Sequence, residues 1–149
     1  MNVYISIKNQ LIKLLKEAYP DFDIFAEEIN KTSENPNYFF IEVMPMSNEL
    51  INKYHIQRSI FISIEGHLES ELNVDYLNMM AKLESKIKNV FRFNDRAITI
   101  RRANSKIVNR ALLYTFDIIF IDSIDNDDDK NNNNELDLMQ EVSIKKESD

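Results

Sequence analysis

Residues 112–121 constrain the fold more than any other segment of the chain. They read LLYTFDIIFI, an alternation that predicts a β-strand with apolar side chains on both faces. One face carries Leu112, Tyr114, Phe116, Ile118 and Phe120. The other face carries Leu113, Ile119 and Ile121. Both faces of this strand therefore need cover from other parts of the protein.

Two amphipathic helices are predicted, and they can cover only one of those faces. The first begins after Asn2, a suitable N-cap, and ends before Pro20. Its apolar stripe is Val3, Ile7, Leu11, Leu14 and Ala18. The second spans residues 74–91, with the stripe Tyr76, Met80, Leu83, Ile87 and Val90. We expect a second copy of the chain to cover the other face, and the alternative is cover by the chain's own loops.

The remaining alternation predicts strands at residues 23–26, 38–44, 55–65 and 97–102, with a tight connection at residues 104–109 leading into the long final strand. Pro36 and Pro45 bracket the second of these strands. The predicted class is α+β. A mainly antiparallel sheet of about five strands carries both helices on one face, in the order α-β-β-β-α-β-β.

The second sheet face is expected to form part of a subunit interface. Its less polar positions include Phe40, Phe61 and Ile119. The alternative again places them under the chain's own loops. The assignment depends on strand register, because a slip of one residue would move every side chain to the opposite face.

The acidic C-terminus predicts two regions: a domain at residues 1–122, and a low-complexity linker with an arm at residues 123–149. Residues 122–149 hold ten acidic and three basic residues. Their net charge is therefore −7, the same as that of the whole chain. Leu138, Met139 and Val142 follow the polar run at helical spacing. We expect them to dock as a short helix onto a neighbouring subunit, and the alternative is a disordered acidic brush that keeps subunits soluble.

Charge within the rest of the chain is segregated. Residues 1–75 carry −6 and residues 76–121 carry +6, a division that favours head-to-tail association. Arg101, Arg102 and Arg110 are predicted to face acidic residues of a neighbouring subunit or of another partner protein. A solvated hairpin and contact with DNA phosphates are the alternatives, and the sequence pI of about 4.9 opposes duplex binding.

No catalytic constellation is apparent. The single glycine rules out a glycine-rich phosphate loop, and the absence of cysteine removes thiolate chemistry. Glu65, His67 and His55 lack a further patterned ligand, so neither a metal nor a cofactor is expected. No apolar run is long enough to span a membrane, and no signal peptide is recognisable. We therefore expect a non-enzymatic protein that remains in the cytoplasm where it is made.

Four segments resemble small phage tail terminator proteins of low-GC Gram-positive bacteria and their prophages. They are LLKEAYPDFDIFAEEI at residues 14–29, NPNYFFIEVMP at 35–45, SIFISIEG at 59–66 and ALLYTFDIIFI at 111–121. The resemblance covers the chain up to the acidic C-terminus.

The resemblance implies a structural virion protein. Such a protein forms a hexameric ring on the last ring of tail tube subunits, halts tube growth and joins the tail to the neck or connector. In contractile tails the ring also meets the sheath. Two other functions remain open: another head-tail joining protein, and a dimeric binding module resembling an immunity protein or antitoxin whose acidic arm covers a basic partner. An enzyme with an unrecognised site is a third.

Overall fold

A five-stranded sheet carries two helices on one face in the computed structural model, which describes residues 2–27, 34–87 and 89–124. The elements are α1 (Val3–Ala18), β1 (Asp23–Phe25), β2 (Tyr38–Asn52), β3 (His55–His67), α2 (Asn73–Ile87), β4 (Val90–Phe93), β5 (Arg96–Thr99), β6 (Ala103–Val108) and β7 (Ala111–Ser123). The sheet order is β1-β2-β3-β7-β6, and β4 pairs with β5 separately. Only β1 and β2 are parallel among the described pairs. The predicted α+β class is confirmed.

Helix α1 begins and ends where the sequence predicts. The Asn2 side chain accepts hydrogen bonds from the main-chain N–H groups of Tyr4 at 2.9 Å and Ile5 at 3.3 Å. These bonds satisfy two donors that have no partner within the helix. After Tyr19 the chain reaches Pro20, which has no N–H with which to continue the helix.

The core lies between the helices and one face of the sheet. Strand β3 contributes Ile60, Ile62 and Ile64, and each is fully buried. Strand β7 contributes the predicted stripe from Leu112 to Phe120, with every second residue buried. Burial of one such side chain stabilises the fold by about 1.5–3 kcal/mol. The central strand pair and the helices therefore hold the domain together.

Strand β2 is longer than the sequence predicts. It continues through Pro45 to Asn52, with a register shift between Pro45 and Ser47. Proline is tolerated because β1 pairs with β2 only as far as Phe40, so beyond this point β2 is an edge strand among the described residues. The sequence prediction of a strand end at Pro45 was wrong.

The region after α2 also differs from the prediction. Residues 90 and 91 belong to β4 and not to the helix, and Phe91 and Phe93 point into the core. Residues 104–109, predicted as a connection, mostly form strand β6. Its actual link to β7 is the pair Asn109 and Arg110, with φ angles of 53° and 60°. Two positive φ angles in a two-residue hairpin loop are typical of a type I′ turn.

Candidate assembly interface

Both helices pack on one face of the sheet, and the opposite face carries half-exposed apolar side chains. On β7 the helix-facing Ile118 and Phe120 are buried. Ile119 and Ile121 point the other way and are 50% and 53% exposed. The alternation of a strand makes this contrast unavoidable, because successive side chains lie on opposite faces.

The three apolar residues predicted for a subunit interface do not share one exposed patch. Register places Phe61 opposite Asp117 and Ser59 opposite Ile119, so Phe61 and Ile119 are diagonal neighbours on adjacent strands. Phe61 is half-buried. Phe40 lies further along the sheet, opposite Glu65, and is only 8% exposed in the single subunit. Phe61 and Ile119 therefore offer area to a partner, while Phe40 offers little.

A cleft lies beside the last part of β7. Strand β6 pairs with β7 only up to the partners Ala103 and Phe116, so residues 117–123 of β7 form hydrogen bonds to β3 on one side alone among the described strands. The space between this edge and β5 has a volume of about 740 Å³. We call it the β7 edge cleft. Its lining includes Ile98, Arg101, Arg102, Asp117, Ile119 and Ile121.

The β7 edge cleft brings together two groups of residues that the sequence analysis treated separately. Arg101 and Arg102 line it with Ile119. Both arginines are exposed, and neither has an ion-pair partner among the described residues. The cleft therefore combines positive charge with apolar surface.

Arg110 lies at the other end of β6, in the turn to β7. Its guanidinium donates to Glu71 at 3.3 Å, and its main-chain carbonyl accepts a hydrogen bond from the Tyr76 hydroxyl at 2.7 Å. The six residues of β6 separate it from Arg102 by about 20 Å. The predicted group of three arginines is thus split between the two ends of the sheet.

A charged cluster that the sequence analysis missed closes the helix-facing end of β3 and β7. Asp122 accepts a hydrogen bond from Arg58 at 3.0 Å and another from Arg96. Arg58 also donates to the Tyr4 hydroxyl at 3.0 Å. Burial lowers the pKa of Arg58, but the bonds to Asp122 and Tyr4 outweigh this effect, and the pKa is raised overall. The alternation of apolar residues puts Arg58 and Asp122 on the apolar side of their strands. A charged residue at such a position is the sequence feature from which the cluster could have been predicted.

The hairpin between β2 and β3 presents a second apolar surface that the sequence analysis missed. Its extension past Pro45 exposes Met46 (64%), Leu50 (65%) and Tyr54 (58%). The sequence analysis missed this surface because it predicted that β2 ends before Pro45, which would place these residues in a loop.

Two of the three metal candidates, Glu65 and His67, interact with each other. His67 forms a hydrogen bond with Glu65 and stacks on Tyr38 with ring centroids 4.3 Å apart. No group of three metal-ligating side chains occurs within residues 2–27, 34–87 and 89–124. Neither helix in the described part of the chain has the length and apolarity needed to cross a membrane. The predicted docking residues Leu138, Met139 and Val142 lie outside the described residues.

Comparison with known proteins identifies the family. A search of curated proteins returned no match. The model of a family described as phage tail terminator protein matches residues 6–130, which is most of the chain and includes α1 from Ser6 onward, all of α2 and every described strand. The chain therefore belongs to the phage tail terminator protein family, a family of structural virion proteins that act in tail completion.

Proposed function

We propose that the protein assembles into a ring, hexameric by its family resemblance, that caps the end of the tail tube. The ring stops tube polymerisation and joins the tail to the neck or connector, and in a contractile tail it also meets the sheath. The observation that carries this proposal is the half-exposed Ile119 on the sheet face away from both helices, beside Phe61 and the two arginines of the β7 edge cleft.

Opposite edges of the sheet supply the two different patches that a closed head-to-tail ring requires. Arg101 and Arg102 lie at the β7 edge. Strand β2, which is unpaired on its outer side beyond Phe40 in the described residues, carries the exposed Glu42 and Glu49. A positive edge on one subunit can therefore face a negative edge on the next. Such complementarity orients subunits and disfavours wrong pairings.

The ring is assembled in the host cytoplasm and then remains at the top of the tail in the particle. Tail tube subunits are its first partner. The arginines are assigned to protein contacts and not to DNA because the chain has an acidic pI of about 4.9. Sequence-specific nucleic-acid binding is no part of this function.

Replacing Ile119 by Asp tests the proposed ring contact. The change places a charge in an apolar contact, so it should prevent ring formation and capping of purified tail tubes while leaving a folded monomer. Light scattering gives the particle mass, electron microscopy shows rings and capped tubes, and circular dichroism reports folding.

Ile5→Asp is the matched control, because Ile5 is also 50% exposed but lies on α1. Rings should form normally with this variant. Intact rings with Ile119→Asp would contradict the assignment, and so would unfolding of the isolated subunit, which would place Ile119 in the subunit's own core. A two-fold particle in the unmodified protein would favour a dimeric module instead.

A further inference from the structure

Residues 117–121 of β7, with which no described strand pairs on the side away from β3, have main-chain groups and side chains suited to a further strand. The Ile121 carbonyl already accepts a hydrogen bond from Arg96 at 2.9 Å, and the direction of this bond shows that the main chain of Ile121 faces away from β3. Alternation then turns the main-chain groups of Asp117 and Ile119 the same way. Exposed edges of this kind promote unwanted pairing, and natural proteins usually cover them.

The chemistry of the β7 edge cleft specifies what can cover this edge. Ile98, Ile119 and Ile121 require apolar side chains, and Arg101 and Arg102 require acidic ones. Asp117 is the opposing charge in the lining, and the two arginines outweigh it. The occupant should therefore be an extended segment in which apolar and acidic residues alternate.

Residues 135–144 of this chain have that composition. They read ELDLMQEVSI, in which Glu135 and Asp137 alternate with Leu136 and Leu138, and Glu141 precedes Val142. The segment carries three acidic residues and no basic residue. Its charge and its alternation both complement the β7 edge cleft.

The segment can reach the cleft of its own subunit. The path from Ile124 back to Ile119 is about 17 Å along the strand. The ten residues at 125–134 can span up to about 33 Å when extended. A tethered segment has an effective concentration of about 1 mM, which favours the same subunit over another at micromolar protein concentration.

We propose that residues 135–144 bind in the β7 edge cleft of their own subunit as an added strand, antiparallel to β7 and in line with β6. The segment takes the position along the sheet beyond Ala103 that no described strand occupies. This placement is an alternative to the predicted short helix on a neighbour, chosen because outward-facing main-chain groups are satisfied by a strand and not by a helix. The inference concerns the free subunit, in which the segment covers the same Ile119, Arg101 and Arg102 that the ring contact would use, so ring formation would have to displace it.

Engineered cysteines test the docking directly, because the chain has none of its own. In the full chain, Ala97→Cys on the cleft wall is combined with Leu138→Cys. The matched control combines Leu138→Cys with Val108→Cys, which is 41% exposed at the far end of β6. On mild oxidation without tail tubes, the cleft pair should form a disulfide within one chain at least about tenfold faster than the control pair. Mass spectrometry and non-reducing gels distinguish links within one chain from links between chains.

Two further measurements test the charge complementarity and the strand pairing separately. Arg101→Glu with Arg102→Glu should slow formation of the cleft disulfide, and adding Glu135→Arg with Asp137→Arg should restore it. Hydrogen exchange at the amides of residues 117–121 should accelerate when Leu136 and Leu138 are replaced by Ser in the full chain. Equal rates for the two cysteine pairs, links between chains alone, or unchanged exchange would each overturn the proposal. None of these outcomes depends on whether the protein caps tubes.

Discussion

At the scale of single residues, we expect Asp122 to contribute more to stability than the exposed ion pair of Glu71 with Arg110. The Asp122 carboxylate joins Arg58 and Arg96, and its side chain is only 17% exposed. Asp122→Asn keeps the shape but leaves two arginines without their anion. Since removal of one partner from a half-buried charged network costs more than a surface pair contributes, we expect a loss of about 1–3 kcal/mol in the free energy of unfolding. Urea denaturation measures it.

Glu71→Gln provides the comparison for Asp122→Asn. The ion pair of Glu71 with Arg110 is solvated, because the Glu71 side chain is 48% exposed and the Arg110 side chain is 79% exposed. This change should cost less than about 1 kcal/mol. Equal losses for the two variants would show that the Asp122 cluster is no more important than a surface ion pair.

At the scale of elements, the packing of α2 against β3 depends on Gly66, the single glycine of the chain. A Cβ at Gly66 would lie 2.6 Å from the Met79 sulfur and 3.1 Å from Phe39. Gly66→Ala should therefore displace α2 or force Met79 into another rotamer, with a loss of about 1–3 kcal/mol in the free energy of unfolding. Thermal and urea unfolding measure the change.

Adding Met79→Ala to Gly66→Ala tests the cause. Truncating Met79 alone creates a cavity, but in the double variant the new methyl group occupies part of that space. The two losses should therefore be less than additive. Fully additive losses would place the strain at Phe39 instead.

The elements that the sequence predicted well are those set by local periodicity. The Asn2 cap and the apolar stripe of β7 each depend on residues close together in the chain. The β7 edge cleft could not be predicted, because it depends on where β6 stops pairing with β7. The Asp122 cluster joins β3 to β7 across 64 positions, so only the fold reveals it.

At the scale of the whole molecule, charge on the β7 edge should make assembly sensitive to salt. Exposed charges are screened over about 8 Å at physiological ionic strength, and each exposed pair contributes only ~0.2–1 kcal/mol. Ring formation should therefore weaken as salt rises. Arg101→Gln with Arg102→Gln should weaken it at low salt and flatten the salt dependence, as measured by light scattering.

Arg110→Gln is the control for this experiment, since its side chain is exposed at the opposite end of β6 and pairs with Glu71. It should leave the salt dependence nearly unchanged. An equal effect from Arg110→Gln would show that the salt-sensitive contact is not specific to Arg101 and Arg102. Salt-independent assembly together with measurable duplex binding would reassign the arginines to DNA.

The central pairing of β3 with β7 also determines how the subunit folds. It joins Gly66 to Leu112 and His55 to Ser123, across the whole of α2 and the β4–β5 hairpin. A ribosome therefore releases α1, β2 and β3 well before their main partner strand exists. Folding dominated by such distant contacts takes milliseconds to seconds, and until β7 arrives the isoleucine stripe of β3 is open to other nascent chains. The subunit can therefore complete its core only after β7 has been translated.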